Sequence, residues 1–231
     1  MSLFQTVNLV CPRCGHLIVM EAVGSINADR RPDFRDAILE SRFQDTTCAA
    51  CGLAFRLQPD FNYLDAGRRQ WIAGLPAARL ADFAGAEAEV VELFSQSYGA
   101  RAPAAARVVG ETLDVRLTFG WPAIREKILA RQAGLDDVTL ELLKLDLVRR
   151  SPSAPFAKGT ELRLFAVFEE SLAFVWTDSA TEVAGDELVV PRTFYDAIDA
   201  AAADWAPLRA RLSMGPFVDI QRLFRGEAQA A

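Results

Sequence analysis

The sequence predicts an α+β chain: an N-terminal β-sheet built around four cysteines, with a short helix inserted in it, followed by a mixed helix and strand region. Three observations carry that prediction. Two Cys-x-x-Cys-Gly knuckles, Cys11-Pro-Arg-Cys14-Gly15 and Cys48-Ala-Ala-Cys51-Gly52, use every cysteine in the chain. Strand-like alternation of apolar residues runs into and out of the first knuckle. After residue 76 the apolar residues recur at helical spacing, and beyond residue 160 strand-like runs return.

Each element follows from local signals. Phe4, Thr6, Asn8 and Val10 alternate with Gln5, Val7 and Leu9, and residues 17–23 resume the strand, so the first knuckle sits at a hairpin tip. Residues 32–40 read as a helix because Pro32 occupies the first turn and acidic residues lie near its N-terminus. Residues 42–47 lead into the second knuckle and residues 53–57 leave it as a short strand. Residues 77–98 form a helix carrying Val90, Val91, Leu93 and Phe94, with Gly99 as its stop. Residues 100–106 are the linker candidate and residues 151–155 a second loop.

A strand over residues 112–119 then precedes helices near 122–133 and 136–150. Gly134 ends the first of these and Asp136 caps the second. Residues 161–168 and 172–176 form a hairpin, with residues 188–190 as a third strand. Phe194, Ile198, Ala201, Trp205, Leu208 and Leu212 recur at three and four positions, which gives one apolar helical face. Pro207 interrupts that face and divides it into two helices. Two domains are expected, residues 1–100 and 101–231.

Composition narrows the function classes. With 231 residues, 51% of them apolar and 24% charged, the chain can bury a sizeable core. No apolar run approaches the roughly 18 residues of a membrane span. Twenty-five basic against 31 acidic residues leave a net charge of −6 without a basic block, a balance that disfavours nucleic acid, whose binding rests on neutralised phosphates. The first ten residues have neither a basic start nor a long apolar core. No export signal is expected there, which places the cysteines in a reducing cytoplasm where metal is favoured over disulfide.

The knuckle spacing lets two sulfurs of a tight turn converge on one ion. A following glycine can take positive φ, which turns backbone N–H groups toward the thiolates. Two knuckles then supply a tetrahedral site from Cys11, Cys14, Cys48 and Cys51, with Zn²⁺ as the first candidate. Iron in a rubredoxin-like site is the alternative, and reduced thiols or a redox-active pair is the third. Four thiolates on Zn²⁺ leave −2, which N–H donors, Arg13 and Arg56 would offset.

Cys-Pro-x-Cys-Gly, then Ser25-Ile26-Asn27, the Pro32 helix, Phe43 and Cys48-x-x-Cys51-Gly52 together resemble the CpXC domain family. The similarity continues through residues 60–65, Trp71-Ile72 and Leu75-Pro76, and more weakly through residues 124–128 and 133–144. The family's second motif also carries proline, and here Ala49 replaces it. The resemblance implies metal-binding cysteines of zinc-ribbon type and names no activity.

His16 is the only histidine, so a multi-histidine catalytic metal centre is excluded, and a solvated turn residue is its plainer role. Neither a nucleophile elbow nor a P-loop is present. Asp136-Asp137, Glu169-Glu170 and Asp186-Glu187 are adjacent carboxylates, but neighbours on a strand point to opposite faces. The chain is therefore expected to be a metal-stabilised interaction or scaffold module with protein partners, with an electron carrier or an enzyme of hidden site as alternatives.

Overall fold

A computed structural model describes residues 3–151, 159–179 and 181–225. Strands β1 (Leu3–Val10) and β2 (Leu17–Asn27) form an antiparallel hairpin with the first knuckle at its tip. Helix α1 (Pro32–Leu39) follows, then the small hairpin of β3 (Asp45–Thr47) and β4 (Ala54–Arg56) around the second knuckle. Strands β5 (Phe61–Asp65) and β6 (Gln70–Leu75) precede a 3₁₀ turn (Ala77–Asp82), α2 (Phe83–Ser97) and α3 (Ala104–Gly110). Strand β7 (Asp114–Phe119) closes a five-stranded sheet of order β1-β2-β5-β6-β7, in which β2–β5 and β6–β7 are parallel.

Side-chain alternation divides that sheet between two cores. Phe61, Tyr63 and Ile72 face α1 and α4 (Trp121–Gln132), where Ile38, Trp121 and Ile124 are buried with them. Trp71, Ala73 and Leu117 face the opposite side and pack with Phe83 and Val90 of α2. Since β7 lies beyond residue 100, the sheet takes strands from both sides of the expected 100/101 division.

A third core joins α5 (Asp137–Arg150) to an antiparallel meander of β8 (Thr160–Val167), β9 (Ser171–Asp178) and β10 (Ala184–Pro191), ordered β10-β9-β8. Helices α6 (Arg192–Ala200), α7 (Ala206–Leu212) and α8 (Gln221–Arg225) complete it. Asp136 caps α5 by accepting the Thr139 N–H at 2.7 Å. Among the described residues, no helix is long and apolar enough to cross a membrane.

Two local expectations are corrected. Residues 100–106 are not a linker throughout, because Ala104 begins α3. Three consecutive alanines favour helix over loop, and Gly110 at its end packs so closely on Tyr98 that a Cβ would lie 2.0 Å from the carbonyl oxygen. Phe194 is 46% exposed rather than part of a buried stripe. Helix α6 stops at Ala200, and the turn before α7 resets the phase, so Tyr195 and Ile198 form its buried face. Residues 152–155 of the second expected loop lie outside the described residues.

Candidate metal centre

The two knuckles have the same backbone frame. Cys11 donates its N–H to the His16 carbonyl and accepts from the Gly15 N–H, at 2.9 and 3.0 Å. Cys48 does the same with Leu53 and Gly52, at 2.9 and 2.8 Å. Both glycines take positive φ, +73° at Gly15 and +70° at Gly52, and open space surrounds the Cβ each would carry. Backbone conformation, not crowding, therefore requires glycine here. Ala49 occupies the place of Pro12 without changing this frame.

The hairpins bring the four sulfurs within 4.8 Å of one another. Cys11 and Cys51 are 3.7 Å apart, and Cys14 and Cys48 are 3.6 Å apart, each pair joining one knuckle to the other. These separations are far longer than a disulfide bond of about 2.05 Å. Metal–sulfur bonds of about 2.3 Å imply edges of about 3.8 Å in a tetrahedron, so this cluster can hold a metal ion. Cys11 and Cys48 are buried, whereas Cys14 is exposed and Cys51 half-buried.

The thiols hold their protons unevenly. Burial raises the Cys11 thiol, but the Cys14 and Arg13 N–H groups prevail and bring it down to about 6. At Cys14 the His16 N–H acts to lower the value, yet burial and the sulfurs of Cys51, Cys11 and Cys48 push it up to about 12. Arg13 and His16 thus serve the cluster through their backbones. Arg56 is engaged elsewhere, with Asp45 at 3.0 Å and Glu182 at 3.1 Å.

A second polar constellation escaped the sequence reading. Lys144 is fully buried and bonds Glu126 at 2.8 Å and Glu141 at 2.9 Å. Arg163 bonds Glu126 at 3.0 Å, Asp219 at 2.7 Å and Glu161. Glu126 also accepts the Leu164 N–H, and Glu141 the Ile220 N–H. These charges lock α4, α5, β8 and the 219–220 segment together, and each already has partners. Glu141–Lys144 is an i,i+3 pair on α5 and Glu161–Arg163 lies within β8, but the contacts of Glu126 and Asp219 run between elements, and no sequence spacing marks those.

The adjacent carboxylates take separate positions. Asp137 pairs with Arg116 and Lys127 at 2.6 and 3.0 Å while Asp136 caps its helix. Glu169, Glu170, Asp186 and Glu187 are exposed. Comparison with known proteins finds one family model, described as CpXC protein, that matches residues 9–144. Those residues make up more than half of the chain and include all four cysteines. No curated protein and no solved structure matches.

Proposed function

This chain belongs to the CpXC family, and from that premise we propose that Cys11, Cys14, Cys48 and Cys51 ligate one structural Zn²⁺ that stabilises an interaction module acting in the cytoplasm. The observation that supports it is the convergence of four sulfurs within 4.8 Å on two knuckles with matching backbone hydrogen bonds. Four thiolates fill a tetrahedral coordination sphere, so the ion would hold structure and offer no position to a substrate. Its contribution is to fix the tips of two hairpins that share little apolar core with each other.

Iron in the same thiolate set would make an electron carrier. Absorption separates the two, because ferric thiolate centres absorb visible light and Zn²⁺, being d¹⁰, does not. A colourless protein whose four thiols react only after chelation is the result expected. Visible absorption bleached by dithionite would overturn the zinc assignment in favour of electron transfer.

A further inference from the structure

The two larger sheets present four edges, and three of them are protected. On β7, Leu117 donates its N–H to the Pro216 carbonyl at 2.8 Å. On β8, Glu126 receives the Leu164 N–H at 2.6 Å and Arg125 donates to the Phe165 carbonyl at 2.9 Å. Strand β10 carries Asp186, Glu187 and a register irregularity between Ala184 and Glu187, the charge and bulge that discourage further pairing.

Strand β1 has one register irregularity, between Leu3 and Phe4, whose extra residue, Gly24, lies on β2, and from Phe4 to Val10 its pairing is regular. Its eight residues, Leu3–Val10, include no charge, proline or glycine, and no described strand lies on its outer side. Phe4 is 51% and Val10 65% exposed. An uncharged, extended, apolar edge of this kind is a template for another strand.

The register identifies that strand. In an antiparallel pair, alternate residues turn both backbone groups to the same side. Cys11 donates inward across the hairpin, so Phe4, Thr6, Asn8 and Val10 turn their N–H and C=O groups outward. A strand that pairs with its own copy about a two-fold axis must set one residue opposite itself. Centring on Thr6 places Phe4 opposite Asn8, and centring on Asn8 places Phe4 opposite Pro12, which has no N–H.

Centring on Val7 sets Thr6 opposite Asn8 and Phe4 opposite Val10 in both directions. Polar then meets polar, apolar meets apolar, and every outward N–H and C=O of these four residues is paired. The chain's −6 charge repels a second copy, and an uncharged strand is where that repulsion is weakest. We propose that the free edge of β1 is a homodimer interface, in which two β1 strands pair antiparallel about Val7 to make one continuous ten-stranded sheet. This deepens the interaction-module reading by naming the partner as a second copy, and it does not depend on which metal the knuckles hold.

The test uses the full chain. Sedimentation equilibrium across a concentration series is expected to approach twice 25.3 kDa, more readily at higher salt. Thr6→Pro removes one outward N–H, and Asn8→Lys adds like charge on both sides of the axis. Each is expected to give a monomer with unchanged circular dichroism and metal content. Under mild oxidation Val7→Cys is expected to cross-link to itself, since a non-hydrogen-bonded pair brings Cα atoms to about 4.5 Å, within disulfide range.

Thr6→Cys lies opposite Asn8 and is expected not to cross-link, with the wild type as the control for the native thiols. A wild type that stays monomeric, with no cross-link through Val7→Cys, overturns the second-copy assignment and turns the search to an extended segment of another protein. A dimer unaffected by either edge variant overturns the use of β1. A monomer carrying one metal would defeat this inference alone, whereas a metal-free dimer would defeat the metal reading alone.

Discussion

The sulfur of Cys14 lies 3.6 Å from that of Cys48, 34 positions further along the chain. The two cysteines belong to different hairpins, β1–β2 and β3–β4, with α1 between them. Ile26, Phe61 and Ile72 form their core elsewhere on the sheet, so a metal tie at the tips acts mainly on the tips.

Cys14→Ser is therefore expected to lose metal and to admit protease near residues 10–17 and 47–54 while α4 and α5 stay resistant. Structural zinc contributes an apparent ~10–16 kcal/mol in small fingers that lack another core. Here the global melting temperature should fall by less than that range implies, because three apolar cores remain. Mass spectrometry of timed digests reads the outcome, and cleavage sites unchanged from wild type would contradict the tie.

Ala49→Pro should be tolerated. Pro12 already occupies the matching position in a knuckle with the same hydrogen bonds, and a compatible proline stabilises by about 0.4–1 kcal/mol through the unfolded chain. Equal metal content and a slightly raised melting temperature are expected. Loss of metal would show that the two knuckles are not equivalent.

A fragment of residues 1–100 should not fold as a soluble unit. Without β7 it exposes the edge of β6, and without α4 it uncovers Phe61, Tyr63 and Ile72. Circular dichroism and light scattering are expected to show an aggregated, poorly structured chain. A cooperative, monomeric melt of this fragment would instead support the division at residue 100.

Lys144→Met should cost about 3–5 kcal/mol, since removing one member of a buried ion group leaves the others uncompensated. Glu126 and Glu141 both lose their bond to the ammonium group. Chemical denaturation measures the loss, and a change below about 1 kcal/mol would show that water reaches the cluster.

Stability should also depend on pH through Glu141. Burial is the main cause that lifts this carboxyl from 4.5 to about 7, with Asp219 and Glu126 adding repulsion against the pull of Lys144 and Lys127. A folded-state value above the unfolded one means the folded chain retains a proton that the unfolded chain releases. The stabilisation is full below about 4.5 and is lost as pH rises through 7. Asp137 and Asp219 are held low by their cationic neighbours despite burial, so their contribution disappears only in stronger acid. Cys11, held down to about 6, works in the opposite direction over the same range, so the readout is a comparison with Glu141→Gln. The stability of the wild type relative to that variant is expected to fall from about pH 6 to about pH 8, and an unchanged difference would contradict the buried acid.

The parts legible in the sequence are those written in local signals. Gly15 and Gly52 show positive φ as their knuckle positions imply, Asp136 caps α5, and residues 32–40 contain α1. Strand β6 was not legible because Gln70–Gly74 is buried on both faces, which erases the two-residue alternation. The parallel pairings β2–β5 and β6–β7 join segments that no short-range pattern connects. Glu126, Lys144 and Arg163 carry no local signal of burial, and only the packing of α4, α5 and β8 shows them buried together. The free edge of β1 likewise needed the strand order, because its sequence alone resembles any half-buried strand.

The most direct test of the central claim is elemental analysis of the tag-free protein beside Cys14→Ser. Near one zinc per wild-type chain is expected, with little iron and a clear loss in the variant. Four freely titratable thiols and no bound metal in the wild type, or iron in place of zinc, would contradict it.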